Sequence, residues 1–310
     1  MKRVILFDAK YLLYRQHFAH VVLRAGSFPT GGMFGFWKEV IRMHDLWPQH
    51  SMVFCWDGQG PSWREETREI TGYKENRNAT AETLNVHRQE HVLLELLKEL
   101  GFHSIRVKGL EADDELAAIA CGLEREKDVL IYSGDRDMYQ LVRSGVRVFS
   151  PRKIKKGNKA PDDLILDEKM VRTVMGVAPK QVSELRAMCG DPADNLKGLP
   201  GIGPKKSLEL FQLGVRPSKS WFEQPAQFRL DTELRKEWPR VQREFGLIQL
   251  PNSERFSEEQ QALLRSCLEK LNMSVGRRKQ ANELDTWFKF LGKYEFTELF
   301  KVRSKLWSIP

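Results

Sequence analysis

Short apolar runs alternate with helix-like stretches over the first half of the chain, and several of these runs end at an aspartate. The runs are rich in β-branched and aromatic residues, which favours buried strands; they are RVILF, MVFCW, HSIRVK, DVLIYS and VRVFS. Helical periodicity occupies residues 33–46, 86–100 and 111–125 between them. This alternation predicts an α/β fold, a twisted and mostly parallel sheet flanked by helices.

The second half of the chain has a different character. A basic, turn-rich segment follows Ser150, and from about residue 167 the patterns are helical only. The predicted helices are 168–175, 179–189, 204–213, 231–245, 258–271 and 283–291. We therefore predict an α/β core over residues 1–166 and a helical region over 167–310, packed against the sheet.

Composition narrows the classes of protein. The 310 residues suffice for one large domain, alone or with a smaller appendage. No run approaches the about 18 apolar residues of a membrane span, and the opening apolar stretch is too short for a signal peptide. Four widely spaced cysteines without a CxxC pair predict reduced thiols and no zinc site. A net charge of +8 suggests a polyanionic partner such as nucleic acid, or simply favours solubility.

Nine carboxylates lie in five short segments, most of which follow a predicted strand. They are Asp8; Asp57; Glu111, Asp113 and Asp114; Asp135 and Asp137; and Asp191 and Asp194. Ligands of open parallel sheets bind at the carboxyl ends of the strands, so we expect these acids to converge there. Each acid taken alone could equally be a helix cap or a solvated residue.

Crowded carboxylates raise each other's pKa, so such a group is stable only when cations lie among the acids. Mg²⁺ and Mn²⁺ prefer oxygen ligands, and two such ions about 4 Å apart promote hydrolysis of a phosphodiester. The segments therefore predict a centre for two or more Mg²⁺ or Mn²⁺ ions. Asp114 and Asp194 could instead support the ligands from outside the metal shell.

A glycine-rich segment, LKGLPGIGPKKSLELF, precedes a predicted amphipathic helix. Gly201 and Gly203 allow a close backbone approach, the helix start offers free N–H groups to a phosphate, and Lys205 and Lys206 add positive charge. This pattern predicts a helix-hairpin-helix clamp over residues 190–215 that holds the DNA backbone without reading its sequence. The alternative is an ordinary connection between two helices.

In order along the chain, these segments resemble the signature blocks of the 5′-nuclease (flap endonuclease) family. The resemblance is strongest to the 5′→3′ exonuclease domain of bacterial DNA polymerase I and its stand-alone phage and bacterial relatives. The matching blocks are VILFDAKYLLYR, FCWDGQGPSWREE, GYKENR, LEADDELAA, SGDRDMYQLV, GDPADNLKGLPGIGPKKS and LDTWFKFLGKYEFTELF. The resemblance implies a PIN-like sheet, a helical arch near residues 74–100 and a helix-hairpin-helix element.

The resemblance also implies an activity: metal-dependent 5′→3′ exonuclease and structure-specific 5′-flap endonuclease, in DNA replication or repair, including RNA primer removal. Two rival functions remain. A catalytically silent, structure-specific DNA-binding protein would lack some of the acids, and every expected acid is present here. A ribonuclease on a related acidic fold would not need the duplex clamp.

The resemblance assigns residues to the two metal positions and to the substrate. Asp8, Asp57, Glu111 and Asp113 correspond to one metal site, Asp135, Asp137 and Asp191 to the other, and Asp114 and Asp194 to further family acids. Lys74 and Arg77 correspond to a catalytic basic pair above the metals. Tyr73 could stack on a terminal base, Arg88 of the arch could face phosphate, and the hairpin could hold K⁺. For Tyr73, Lys74 and Arg77 the alternative is a solvated, cationic helix start, and for Arg88 it is a plain surface position.

Two departures from the family pattern concern the arch. Glu75 places an acid between Lys74 and Arg77, and the arch is short and poor in lysine and arginine. The resemblance implies a monomer that acts on DNA with 5′ ends, flaps or nicks, and on RNA–DNA hybrids, beside a separate DNA polymerase. It also implies a location in the cytoplasm of a bacterium, or of the host in the case of a phage protein.

Overall fold

A computed structural model describes residues 3–67, 72–76, 78, 80–123, 128–151, 163–273 and 281–296. The strands are β1 (Arg3–Asp8), β2 (Arg24–Ala25), β3 (Phe28–Pro29), β4 (Ser51–Cys55), β5 (His103–Ile105), β6 (Asp128–Tyr132), β7 (Val146–Pro151) and β8 (Asp163–Leu166). The helices are α1 (Ala9–Ala19), α2 (Gly31–Leu46), α3 (Trp63–Glu66), α4 (Ala81–Glu99), α5 (Ala112–Gly122), α6 (Glu168–Met175), α7 (Val182–Cys189), α8 (Pro204–Gln212), α9 (Ala226–Arg229), α10 (Thr232–Ile248), α11 (Glu258–Met273) and α12 (Ala281–Lys293).

The main sheet has the strand order β5-β4-β1-β6-β7-β8 among the described residues. Every neighbouring pair is parallel except β7 and β8, which are antiparallel. The α/β prediction is therefore confirmed, and all five predicted strands are present. The sequence prediction did not include β8, an edge strand that follows the basic loop.

The central position of β1 determines where the acids meet. In the register of the sheet, Asp8 lies opposite Cys55 of β4, and Phe7 lies opposite Tyr132 of β6. The carboxyl ends of three neighbouring parallel strands therefore lie side by side. Asp8 ends the first, Asp57 follows the second by two residues, and Asp135 follows the third by three.

Alternate residues of β1 point to opposite faces of the sheet, and each face is covered by helices. Val4 and Leu6 pack into a core that also contains residues of α5, α10 and α11. Ile5 and Phe7 pack into a second core with residues of α1, α2, α4 and α12. The helical region thus buries one face of the sheet, because both faces of a parallel sheet must be covered.

The last described helix returns to the core of the first half. Trp287 of α12 packs edge-on against Trp37 of α2, with ring centroids 4.9 Å apart, and both side chains are fully buried. The helical region therefore shares its hydrophobic cores with the first half of the chain. The six helices predicted after residue 167 correspond to α6, α7, α8, α10, α11 and α12. None of the described helices combines the length and the hydropathy needed to span a membrane.

Candidate active site

Asp8, the last residue of β1, is hydrogen-bonded both to the first turn of α1 and to the residue that follows β6. As the N-cap of α1 it accepts a hydrogen bond from the Tyr11 amide to Oδ1 (3.0 Å), and Ser133, just after β6, donates its hydroxyl to Oδ2 (2.9 Å). Burial, together with the charges of Asp57 and Asp135, raises the pKa of Asp8 to about 7 against the effect of these hydrogen bonds. Asp8 therefore lies in the electrostatic field of two other segments that carry predicted ligands.

Asp57 bridges β4 to the start of α5. Its Oδ1 accepts a hydrogen bond from the Ala112 amide (3.0 Å), and its Oδ2 lies 3.0 Å from Lys10 Nζ. Burial alone would raise the pKa of Asp57, but Lys10 and the Ala112 amide hold it below its usual value. Asp57 is therefore a fixed, ionised carboxylate at the edge of the sheet.

Glu111, the N-cap residue of α5, is bonded through both of its carboxylate oxygens. Its Oε2 lies 2.8 Å from Lys74 Nζ and accepts a hydrogen bond from the Tyr73 hydroxyl (3.0 Å), while Ser62 donates to Oε1 (2.9 Å). Burial opposes ionisation, but Lys74 and Arg64 keep the pKa of Glu111 below its usual value. Its neighbour Asp113 has a pKa raised well above the usual value by burial and then by the Glu111 charge.

The second predicted set lies on the turn after β6 and at the end of α7. Asp135 accepts a hydrogen bond from the Asp137 amide (2.8 Å), and Asp137 Oδ1 accepts one from Arg186 Nε (2.8 Å). The same guanidinium pairs with Asp191. Burial and the Asp135 charge raise the pKa of Asp137 to about 7, although Arg186 acts in the opposite direction.

The two sets are electrostatic neighbours. Asp135 raises the pKa of Asp8 and of Asp113, which belong to the other predicted set. The seven acids assigned to two metals by sequence, namely Asp8, Asp57, Glu111, Asp113, Asp135, Asp137 and Asp191, are thus linked through their charges at the carboxyl edge of the sheet. That these acids hold two metal ions stays a prediction.

In the described part of the chain, no three carboxylate, imidazole or thiol side chains are arranged to hold a metal ion together. Cationic side chains occupy these positions instead: Lys10 contacts Asp57, Lys74 contacts Glu111, and Arg186 contacts Asp137 and Asp191. Clustered carboxylate oxygens suit a hard divalent ion. Burial is the first cause of the raised pKa of Asp8 and of Asp137, and the charges of neighbouring acids add to it. The donors are thus of the type that holds a hard divalent ion, and the identity of the ion stays a prediction.

The structure corrects the prediction that Asp114 is a metal ligand. Arg64 donates from Nη1 to Oδ2 (2.7 Å) and from Nη2 to Oδ1 (2.9 Å) of Asp114, and Trp63 Nε1 donates to Oδ2 as well (3.2 Å). Asp114 is fully buried. Because both oxygens are bonded by a buried guanidinium, Asp114 is a structural ion-pair partner.

Lys74 lies beside the acids, as the resemblance implied. It adopts a positive φ of 53°, and its amide donates to the backbone oxygen of Asp194 (3.0 Å). Asp194 thus helps to fix the turn that aims Lys74 at Glu111; metal binding by the Asp194 carboxylate stays a prediction. Glu75, the acid that departs from the family pattern, is exposed. Arg77 lies outside the described residues.

Tyr73 and Arg88 were both predicted to contact DNA, and the structure places them in different environments. Tyr73 is 3% exposed and bonded to Glu111, so its ring is not available to stack on a base, and that prediction is corrected. Its raised pKa, due to burial and then to Glu111, keeps the hydroxyl a hydrogen-bond donor. Arg88 is exposed on α4, with its guanidinium 4.8 Å from the centre of the Phe28 ring. A contact between Arg88 and phosphate stays a prediction.

A glycine-rich loop joins α7 to α8, and α10 holds one end of it. Glu244 of α10 accepts hydrogen bonds from the amides of Lys197 (3.1 Å) and Gly198 (2.9 Å). Gly198 has a positive φ, and a Cβ there would meet the Gly190 nitrogen at 2.4 Å, so only glycine fits.

The other end of this loop faces solvent. A Cβ at Gly201 or Gly203 would meet no atom within 4 Å, and Lys205 and Lys206 are exposed at the start of α8. The open backbone and the two lysines lie where the clamp was predicted. Its binding to phosphate, or to K⁺, stays a prediction.

Sequence reasoning missed the cations and hydroxyls that hold the acids, namely Lys10, Arg186, Ser62 and Ser133. Lys10 stands two residues after Asp8, and Arg186 stands five residues before Asp191, so both were close to predicted ligands. A lysine or arginine beside an acid is, however, common on protein surfaces. Only the packing of α1 and α7 against the sheet edge turns these two side chains inward.

An open, mostly parallel sheet with acids gathered at its carboxyl edge and a lysine-bearing loop between two helices defines a PIN-like fold. Residues 3–176 match the family described as 5′-3′ exonuclease, N-terminal resolvase-like domain, and the chain belongs to that family.

Two curated relatives illustrate the extent of the similarity. The chain is 28% identical to the 5′-3′ exonuclease of Aquifex aeolicus over 247 residues, which are 79% of this chain and 76% of that protein. It is 35% identical to the thermostable DNA polymerase I of Thermus thermophilus over 212 residues, 68% of this chain and 24% of the polymerase. The chain thus spans about a quarter of the length of that polymerase.

Solved structures share the fold. T5 5′-exonuclease with bound zinc superposes with a TM-score of 0.67 at 19% identity, covering 87% of this chain and 98% of that one. The catalytic core of Rad2 in complex with a DNA substrate superposes with a TM-score of 0.50 at 19% identity, covering 94% of this chain and 86% of that one. At such low identity these structures support the architecture alone.

Proposed function

We propose that this chain is a metal-dependent 5′→3′ exonuclease and structure-specific 5′-flap endonuclease that hydrolyses DNA phosphodiesters. The observation that carries the proposal is the convergence of seven carboxylates from separate segments at the carboxyl edge of the sheet, beside Lys74. Family membership and the relatives named 5′-3′ exonuclease support it. Solved structures that hold divalent ions or DNA share its fold.

The donors suit two Mg²⁺ or Mn²⁺ ions. Asp8, Asp57, Glu111 and Asp113 would hold one, and Asp135, Asp137 and Asp191 the other. Bound there, such ions supply a nucleophilic water at neutral pH and offset the charge that builds up on the phosphate.

Hydrogen bonds from neighbouring residues orient the predicted ligands before any ion binds. Ser133 and the Tyr11 amide fix both oxygens of Asp8, while Tyr73 and Ser62 fix Glu111. Lys74 Nζ is held at the site by Glu111, where an ammonium group can stabilise the negative charge of the transition state. Arg77 is proposed as its partner from the resemblance alone.

The loop between α7 and α8 would bind the duplex part of the substrate. Its exposed backbone near Gly201 and Gly203 and the side chains of Lys205 and Lys206 would contact phosphates, with K⁺ as a candidate ion at the loop. Contacts of this kind carry no sequence information. A nuclease built in this way therefore recognises the shape of its substrate rather than its base sequence.

The substrates we propose are DNA with 5′ ends, flaps or nicks, together with RNA–DNA hybrids. Removal of RNA primers during replication or repair would use these activities. A separate DNA polymerase is the natural partner, since the same type of domain forms part of DNA polymerase I in the relatives from Thermus. We propose that the chain acts as a monomer.

One time course tests the proposal. A 5′-labelled flap is incubated beside nicked and blunt duplexes with Mg²⁺ and then with excess EDTA, and product lengths are read on a gel. We expect short 5′ products with Mg²⁺ and none with EDTA. Asp135→Ala should lower cleavage by several orders of magnitude, because the main electrostatic contribution is lost. Asp285→Ala, an exposed acid on α12, is the matched control.

Full activity in EDTA, or in Asp135→Ala, would contradict the two-metal proposal. Binding of flap DNA without any cleavage in Mg²⁺ or Mn²⁺ would favour a catalytically silent, structure-specific DNA-binding protein instead.

A further inference from the structure

Lys10 is a cation inside the predicted metal site that neither the sequence motifs nor the proposed mechanism uses. It is the second residue of α1, and its side chain is 23% exposed, with Nζ 3.0 Å from Asp57 Oδ2. Lys10 is therefore a cation in ion-pair contact with a predicted ligand.

Lys10 also faces the space where substrate and ions would lie. The lining of a pocket of about 240 Å³ includes Lys10, Asp57, Lys74 and Glu111. Each of these two acids is thus paired with one lysine. Lys74 comes from a turn with a positive φ, whereas Lys10 comes from the first turn of a helix whose N-cap is the ligand Asp8.

Two features favour a position of the Lys10 ammonium group beside Asp57. Its backbone is fixed by α1, and Glu90, a buried residue of α4, adds a second negative charge near its ammonium group. A divalent ion that binds Asp57 must displace this ammonium group or share the carboxylate with it. Two cations in contact with one carboxylate repel each other, and this repulsion is poorly screened away from bulk water.

We propose that Lys10 is a positioning residue that acts as an internal counter-ion of the first metal site and lowers the affinity of that site for divalent ions. The inference rests on the proposed metal-dependent function. In the absence of metal, Lys10 holds Asp57 in place and offsets its charge. When metal binds, Lys10 opposes it, so it sets the ion concentration at which the site fills.

The test is metal binding rather than cleavage. Calorimetric titrations with Mn²⁺ and with Ca²⁺ compare wild type with Lys10→Met, which keeps most of the apolar stem, and with Lys10→Arg, which keeps the charge. Lys98→Met removes one positive charge from an exposed position on α4 and is the matched control. Melting temperatures with EDTA and with saturating Mn²⁺ are measured for all four proteins.

We expect Lys10→Met to bind the more tightly held of the two ions at least about tenfold more strongly than wild type, because the repulsion between the lysine ammonium group and the ion is lost. Its melting temperature should fall in EDTA, where Asp57 has lost its partner, and recover with Mn²⁺. Lys10→Arg and Lys98→Met should bind metal like wild type. If Lys10→Met is unfolded in EDTA, the same titration is made with Lys10→Gln.

Equal or weaker metal affinity in Lys10→Met and Lys10→Gln would overturn the inference, because a purely structural lysine would give that result. Absence of metal binding in wild type would instead contradict the proposed function itself. The two failures are therefore distinguishable.

Discussion

Arg64 and Asp114 form a buried ion pair that ties the acidic segment to the helical region. The two residues share two hydrogen bonds, and Arg64 Nε donates to the backbone oxygen of Leu247 at the end of α10 (2.8 Å). Arg64 is 2% exposed and Asp114 is fully buried. The N-terminal end of α5, which carries Glu111 and Asp113, is thus held by a residue of α3 and by the end of a helix far along the chain.

We predict that Asp114→Ala destabilises the metal-free protein strongly but weakens metal binding less than loss of a ligand does. Removing one partner of a buried ion pair leaves an uncompensated charge, which costs about 3–5 kcal/mol of unfolding free energy. Urea denaturation in EDTA measures the loss, and calorimetry with Mn²⁺ measures the affinity. Asp113→Ala is the matched control. It should lose metal affinity with less destabilisation, because the raised pKa of Asp113 shows that its charge is unfavourable in the fold. A stable Asp114→Ala protein that no longer binds metal would restore Asp114 as a ligand.

This pair shows how far sequence could predict the site. The strands and their acids were predictable because a buried parallel strand needs continuous apolar residues, and ligands gather where such strands end. The different roles of Asp113 and Asp114 were not predictable. They depend on which face of α5 meets Arg64, and Arg64 is in turn fixed by Leu247. The inward orientation of Lys10 and of Arg186 and the burial of Tyr73 are likewise products of packing between distant segments.

His50 should make the protein sensitive to mild acid. This histidine precedes β4, is 4% exposed, and lies 3.4 Å from Asp128, with Arg3 and Arg147 nearby. Burial lowers its pKa from the ordinary value of 6.5, although Asp128 acts in the opposite direction. The unfolded chain therefore takes up a proton before the folded protein does. The contribution to stability is complete above about pH 6.5 and is lost as the pH falls through the lower, folded pKa.

We predict that His50→Gln flattens this part of the pH profile. The difference in unfolding free energy between pH 7.5 and pH 5 should be smaller in His50→Gln than in wild type, whatever the stability of the variant at pH 7.5. Urea unfolding at both values measures it. His91→Gln, an exposed histidine of α4, should keep the wild-type difference. If the difference between pH 7.5 and pH 5 is the same in all three proteins, His50 titrates alike in the folded and unfolded states.

Glu244 should couple the stability of the helical region to binding of the duplex. It is 2% exposed and accepts hydrogen bonds from the amides of Lys197 and Gly198. Its Oε1 also lies 2.6 Å from Arg240 Nη1. Glu244→Ala leaves the two amides without this acceptor and removes one of the two carboxylate partners of Arg240. We expect the change to cost about 3 kcal/mol of unfolding free energy. It should also weaken binding of a short duplex, because the loop loses its anchor.

The control for this prediction is Glu237→Ala. Glu237 lies on the same helix and pairs with the same arginine, but it is partly exposed. Its loss should cost at most about 1 kcal/mol and leave duplex binding unchanged. If Glu244→Ala is destabilised but binds the duplex with wild-type affinity, the anchored end of the loop makes no contribution to DNA binding.

The double change Lys205→Ala with Lys206→Ala should weaken duplex binding and reduce its dependence on salt. Each lysine that neutralises a phosphate releases about one counter-ion, so loss of both should lower the slope of log affinity against log salt concentration by about 2. Both side chains are exposed, so the fold should be unaffected. Fluorescence anisotropy with a labelled duplex at several salt concentrations, in Ca²⁺, measures the slope. The double variant Lys38→Ala with Lys98→Ala removes the same charge from exposed positions on α2 and α4 and should keep the wild-type slope. A common slope for all three proteins would place the duplex contact on another surface, and the loop between α7 and α8 would then be an ordinary connection between two helices.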